Sequence, residues 1–191
     1  MLTHQGTAVL HTKNLLLRPY LKGDEQAMYQ NWAADEEVSR YLTWAPHESL
    51  ESTRQIVSEW ASCYGSDTFY HWGITLDGLL IGDIAVVNWN EASEWAEIGY
   101  CLGRPWWGQG IMTEALQSVM RYLFESVGFH RISLRHLAQN TASGRVMQKA
   151  GLQYEGTMRD AIKHRDGRFA DLCLYGALNG EWQAAQRRTT T

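Results

Sequence analysis

The segment from Glu97 to Glu125 constrains this chain more than any other. Glu97-Ile98-Gly99-Tyr100-Cys101-Leu102 is short and mixes β-formers with apolar residues, which predicts a strand. Gly103-Arg104-Pro105-Trp106-Trp107-Gly108-Gln109-Gly110 follows and is turn-rich. Beyond it, Ile111, Met112, Ala115, Leu116, Val119, Met120, Leu123 and Phe124 recur at helical spacing and form one apolar stripe. Gly108-Gln109-Gly110 therefore falls where a helix begins. Unpaired N–H groups point out of a helix N-terminus, and the helix dipole favours negative charge there. Glycine lets a phosphate come close to the backbone. The arrangement suits a pyrophosphate, although two glycines before a helix also serve as a plain tight turn. Ile111-Met112 replace the Lys-Ser/Thr that ends a Walker loop, and the three early glycines of a dinucleotide fingerprint are missing.

Composition bounds the rest. A length of 191 residues predicts one domain with a real core. Hydrophobic content of 45% and charged content of 20% are those of a soluble globule. A net charge of −4 argues against nucleic acid or an anionic membrane as partner. Cys63, Cys101 and Cys173 are widely spaced, which predicts reduced thiols in a cytoplasmic protein rather than disulfides or a zinc site. No segment has the apolar length of a membrane helix, and no signal-peptide pattern opens the chain.

Taken in order, residues 1–12 carry little pattern and are expected to form a loose arm. Leu15 to Arg18 reads as a strand ended by Pro19, and Asp24 as the N-cap of a helix. A short helical piece spans Val38 to Leu42, and Ser49 opens a longer helix carrying Ile56, Val57, Trp60 and Ala61. Phe69 to Leu76, Asp77-Gly78 and Leu79 to Val87 form a hairpin. Arg131 to Arg135 reads as a strand that returns parallel to the one holding Glu97. Asn140 to Gly151 reads as a capped helix with a C-terminal glycine, followed by a hairpin through Arg165-Asp166-Gly167-Arg168. Residues 183–191 are polar and expected to fray.

Pro105-Trp106-Trp107-Gly108-Gln109-Gly110 resembles the acyl-CoA loop Arg/Gln-x-x-Gly-x-Gly/Ala of the GCN5-related N-acetyltransferases (GNAT), with Pro105 in place of the leading residue. Tyr100-Cys101-Leu102 and Thr113-Glu114-Ala115 around it look like the branch that acetylates ribosomal-protein N-termini, the RimJ/RimL-like enzymes. Asn140-x-x-Ser143, Lys149-x-Gly151, Glu155-Gly156, Arg159-Asp160 and Asp171 before Tyr175 recur in that order in the same branch. The resemblance covers residues 13–180 as a single domain. It implies an α/β (α+β) fold: a mixed, mainly antiparallel sheet of about six or seven strands flanked by helices. It also implies acetyl-CoA as co-substrate, with no metal.

The implied chemistry sets the residue roles. An amine must lose a proton before it attacks a thioester, the oxyanion needs donors, and a thiolate must leave. An α-amino group has a pKa of about 8, against about 10.4 for a lysine, so an N-terminal acceptor asks less of the base. Glu97 is the first choice of base and Asp83 the second; each also reads as an ordinary cross-strand or ion-pair residue. Many family members carry an acidic tyrosine seven residues after the helix-opening Asn140, but here that place is Met147. Ser143 matches a serine proposed to act near the sulfur in the ribosomal branch; a plain role is to satisfy the first helical turn.

By resemblance the cofactor is bound by Tyr100, Cys101, Leu102, Trp107, Gly108, Gln109, Gly110, Ile111, Met112, Asn140, Ser143, Arg145 and Lys149, with Arg104 a further candidate for phosphate. Cys101 reads better as a buried strand residue than as a nucleophile. Trp44 and His47 lie in the segment that helps form the acceptor pocket in the family; they read equally as a core cap and a solvated side chain. The expected function is acetyl transfer to a protein or peptide N-terminus by direct attack in a ternary complex. A small amine or aminoglycoside acceptor, or a non-catalytic acyl-CoA sensor, is the alternative. A homodimer is allowed, and neither nucleic acid nor membrane is expected as partner.

Overall fold

A computed structural model describes residues 1–189. The elements run β1 (Leu10–His11), β2 (Leu15–Arg18), α1 (Asp24–Met28), α2 (Glu36–Ser39), α3 (Leu50–Cys63), β3 (His71–Leu76), β4 (Leu79–Asn90), β5 (Trp95–Leu102), α4 (Ile111–Tyr122), β6 (Arg131–Leu137), α5 (Thr141–Ala150), β7 (Gln153–Lys163), β8 (Phe169–Leu178) and α6 (Asn179–Thr189). Eight strands join one sheet in the order β1-β2-β3-β4-β5-β6-β8-β7. The α/β class with a mainly antiparallel sheet is as expected; the short β1 adds a strand to the expected number. Two compact units appear: His4–Val86 with Gly99–Val119, and Met1–Thr3 with Val87–Ile98 and Met120 onward.

In the first unit, Asp77 and Gly78 both have positive φ, at 50° and 81°. That is the type I′ geometry that matches strand twist, and it sets Leu76 opposite Leu79. Tyr20, Met28, Trp32, Ala33, Val38, Val57, Leu80 and Cys101 form a core, with Trp44, Trp60 and Tyr64 packed against it. Each large apolar side chain so buried contributes about 1.5–3 kcal/mol. Ser49 caps α3 as expected, its hydroxyl accepting from the Ser52 N–H at 3.2 Å. Asp24 does not cap α1. Gly23 holds the cap with φ 103°, and the Asp24 carboxylate turns back to the Arg18 guanidinium at 2.6 and 2.9 Å and to the Leu21 N–H at 2.6 Å. Both carboxylate oxygens are taken by the guanidinium fork, with Oδ2 also accepting from the Leu21 N–H, so the cap falls to Gly23.

The arm expected to be loose is tied by backbone. Gly6 N–H donates to the Asp67 carbonyl at 2.6 Å, the Trp72 indole donates to the Ala8 carbonyl at 2.6 Å, and Leu10 pairs with Leu17.

In the second unit, Trp95, Ala96 and Glu97 pair in parallel with Arg131, Ile132 and Ser133, as the strand-helix-strand pattern requires. β6 and β7 both run antiparallel to β8. Gly151 ends α5 in the left-handed conformation, φ 100°. α6 continues past Gln183, where fraying was expected. Trp182 is buried with its ring 5.9 Å from Phe124, and the Asn179 amide donates to the Phe124 and Phe129 carbonyls. These contacts anchor the first turn, so the polar remainder is carried along; Thr190 and Thr191 lie outside the described residues.

Candidate active site

The glycine loop stands at the N-terminus of α4. After Gly103 a single 3-10 turn, Arg104–Trp106, redirects the chain. Gly108 and Gly110 then adopt φ 76° and 82°. A side chain at either would meet nothing within 4 Å, so the left-handed backbone, not crowding, requires glycine there. The loop is held from behind: the Trp107 indole donates to the Leu102 carbonyl at 2.7 Å and the Gln109 amide to the Pro105 carbonyl at 2.8 Å. Glu114 N–H donates to the Gly110 carbonyl at 3.0 Å, the first bond of the helical ladder. The N–H groups before it have no partner within the helix, so they supply donors and a positive dipole end. Ile111 and Met112 are buried and fix the helix in place. Arg104, a candidate for phosphate, instead pairs with Asp35 at 3.1 Å.

Asp83 and Glu97 have different surroundings. Asp83, in the first unit, receives Tyr20 O–H at 3.2 Å, His71 Nε2 at 3.3 Å and the Cys101 thiol at 3.1 Å. Burial, with the Asp83 charge second, pushes the Tyr20 and Cys101 pKa values well up, so both remain protonated donors. Cys101 is thus a hydrogen-bonded thiol rather than a nucleophile. Tyr64 beside them is pushed up to about 12, chiefly by burial. Its hydroxyl donates to the His71 carbonyl at 2.9 Å and accepts from the Tyr20 N–H at 3.0 Å. Glu97, in the second unit, is buried and its Oε1 lies 2.7 Å from Arg135 Nε. Each carboxylate is therefore partnered, neither simply exposed.

In the first unit Trp44 packs on the core and its ring lies 5.5 Å from His47. His47 is half-buried rather than solvated: Nδ1 bonds the Thr53 hydroxyl at 2.8 Å, and desolvation lowers its pKa. In the second unit Asn140 caps α5, its side chain accepting from Ser143 N–H at 3.3 Å. Ser143 is half-buried, and Met147 is 2% exposed, facing the core. Arg145 is exposed and donates to the Thr141 hydroxyl at 3.3 Å, and Lys149 is exposed. Tyr100 is half-buried on β5. The partners of Asp83 escaped sequence reasoning: Tyr20 and His71 lie 63 and 12 positions away, with no local pattern linking them. No helix among the described residues is long and apolar enough to cross a membrane.

A mixed sheet flanked by helices, with a left-handed glycine pair opening α4 after β5, defines an acyltransferase of the N-acetyltransferase class. The acetyltransferase (GNAT) domain family matches residues 14–153, and the chain belongs to that family. It is 30% identical over 176 residues to the uncharacterized N-acetyltransferase p20 of Bacillus licheniformis, covering 91% of this chain and 97% of that one. It is 32% identical over 85 residues to the alanine N-acetyltransferase of ribosomal protein uS5 from Escherichia coli, covering 44% of this chain and 43% of that one. The crystal structure of a GNAT-family acetyltransferase from Bacillus anthracis superimposes with a TM-score of 0.80 at 26% identity, covering 91% of this chain and 99% of that one.

Proposed function

We propose that the protein moves an acetyl group from acetyl-CoA to the α-amino group of a protein or peptide N-terminus, within one GNAT domain over residues 13–180. The observation that carries this reading is the left-handed pair Gly108 and Gly110, which opens the N-terminus of α4 to a phosphate. In this reading the pyrophosphate sits on backbone N–H groups from Trp107 to Met112, and the β5 backbone from Tyr100 to Leu102 bonds the pantetheine arm. The family resemblance assigns Asn140 and Ser143 to the thioester and Arg145 and Lys149 to the phosphates. Trp44 and His47 touch the acceptor. The kinship with an enzyme named for acetylating a ribosomal-protein alanine favours an N-terminal acceptor.

Glu97 remains the first choice of base. Asp83 already receives three donors, which commits its lone pairs, whereas the ion pair of Glu97 engages Oε1. The amine nitrogen, freed of a proton, attacks the thioester carbonyl carbon. The C–S bond breaks with its electron pair on sulfur, and the thiolate takes up a proton; one proton is released overall.

The test is thiol release from acetyl-CoA by the intact chain with peptides carrying free or blocked amino ends, and with polyamines and aminoglycosides. Release with free-ended peptides alone is the expected result. Release only with small amines moves the acceptor to that class, and binding of acetyl-CoA without release with any amine makes the chain an acyl-CoA sensor.

A further inference from the structure

Glu97 shares its sheet face with a cation that is only half used. In the second unit, Ile132, Leu134 and His136 of β6 are buried on one side of the sheet. The alternating Arg131, Ser133 and Arg135 lie on the other side, the first two half-buried and Arg135 exposed. Ser133 is in register with Glu97, and its hydroxyl accepts from the Trp95 indole at 2.8 Å. Arg135 is in register with Leu174, and Leu174 with Gly156. Leu174 is half-buried, and a Cβ on Gly156 would meet nothing within 4 Å. The row Arg135-Leu174-Gly156 thus forms an open shelf beside Glu97.

The two guanidiniums on this face are used differently. Arg131 is a closed pair, with both Nη groups donating to the Glu155 carboxylate. Arg135 reaches Glu97 through Nε at 2.7 Å, and it has no other ion pair among the described residues. Its side chain is 55% exposed, against 11% for Glu97, so its Nη donors are left for a group that arrives from solvent. This constrains the acceptor. An α-amine arrives mostly as a cation near neutral pH. At Glu97 it meets a carboxylate already neutralised by a guanidinium, so a lone ammonium is repelled as well as attracted. An acceptor that carries its own carboxylate exchanges both partners and leaves no charge unpaired.

We propose that Arg135 selects the acceptor: a peptide N-terminus whose second residue is Asp or Glu, with that side-chain carboxylate on the guanidinium and the α-ammonium on Glu97. One residue advances a chain by about 3.3–3.6 Å, a step that suits the distance from a carboxylate across to the far edge of the guanidinium it pairs with. The inference rests on the proposed place of Glu97 at the acceptor amine.

The test uses three peptides amidated at the C-terminus, identical except that they begin Ala-Asp, Ala-Asn or Ala-Lys. Each is titrated calorimetrically into the intact chain with CoA present, and each is assayed for thiol release with acetyl-CoA. Ala-Asp is expected to bind about tenfold or more tightly than Ala-Asn, with the difference in kcat/KM carried by KM. Arg135→Gln should bring that ratio close to one, Arg135→Lys should restore part of it, and Arg135→Glu should favour Ala-Lys. The side chain is more than half exposed, so these substitutions leave the fold intact. No difference between Ala-Asp and Ala-Asn, or a ratio unchanged in Arg135→Gln, overturns the assignment while thiol release still supports acetyl transfer. Selective binding of Ala-Asp without thiol release keeps the assignment and overturns the transfer. Free aspartate that displaces Ala-Asp and binds more tightly than it makes the occupant a small molecule and overturns the peptide assignment.

Discussion

At the residue scale, proton traffic decides what each side chain can do. Glu97 is buried against a guanidinium, so replacing it with glutamine leaves Arg135 to solvent, where it is more than half exposed. If Glu97 takes the amine's proton, Glu97→Gln should lower turnover about a hundredfold or more at pH values where the acceptor is protonated. The deficit should shrink as pH rises past the acceptor's pKa, near ~8 for an α-amine. A uniform small loss across the pH range in steady-state rates assigns Glu97 to structure and moves the test to Asp83. On α5 the roles should separate. Ser143→Ala is expected to cost about tenfold to a hundredfold in turnover at saturating acetyl-CoA, at the low end of acid–base contributions. Met147→Leu should leave turnover intact, because a thioether donates no proton and the side chain is core packing. Full activity in Ser143→Ala would assign leaving-group assistance to solvent.

At the element scale, the loop before α4 is read most directly through Gly110. Valine there is both β-branched and forced to φ 82°, a backbone strain of about 1–3 kcal/mol. It also places a side chain in the open space where the proposed site puts a phosphate. Calorimetry on folded Gly110→Val should show acetyl-CoA affinity lost by about tenfold or more; unchanged affinity removes the loop from the site.

The elements also show which parts of the fold were legible. Asp77-Gly78, Asn140 and Gly151 are local signals whose geometry depends on neighbours a few positions away, and each appears where the residues predicted. The arm was not legible, because its bonds reach from Gly6 to Asp67 and from Ala8 to Trp72 through backbone carbonyls that no sequence pattern marks. Asp24 misled because a cap and a guanidinium partner call for the same carboxylate. The glycine loop was readable, while the Tyr20-His71-Asp83-Cys101 cluster exists only once distant strands are paired.

At the scale of the whole molecule, acid should loosen the fold through its paired carboxylates. The Arg168 guanidinium holds Asp166 down to about 2, and the Arg131 guanidinium lowers Glu155. A carboxylate depressed in the folded state stabilises above its unfolded pKa and loses that contribution as pH falls through the folded value. Chemical denaturation midpoints should therefore fall between about pH 4 and about pH 2. Arg131→Gln and Arg168→Gln together should flatten that decline; a decline unchanged in the double variant excludes these pairs as its cause.

The central claim is acetyl transfer to an α-amine by direct attack. The most direct measurement offers the intact chain and acetyl-CoA a peptide carrying both a free amino-terminal alanine and an internal lysine near neutral pH. Fragmentation mass spectrometry then locates the product. A single acetyl group on the α-amino nitrogen, with one thiol released per acetyl, is the predicted result. Acetylation of the lysine instead, or thiol release that proceeds equally well with the blocked peptide, would contradict it.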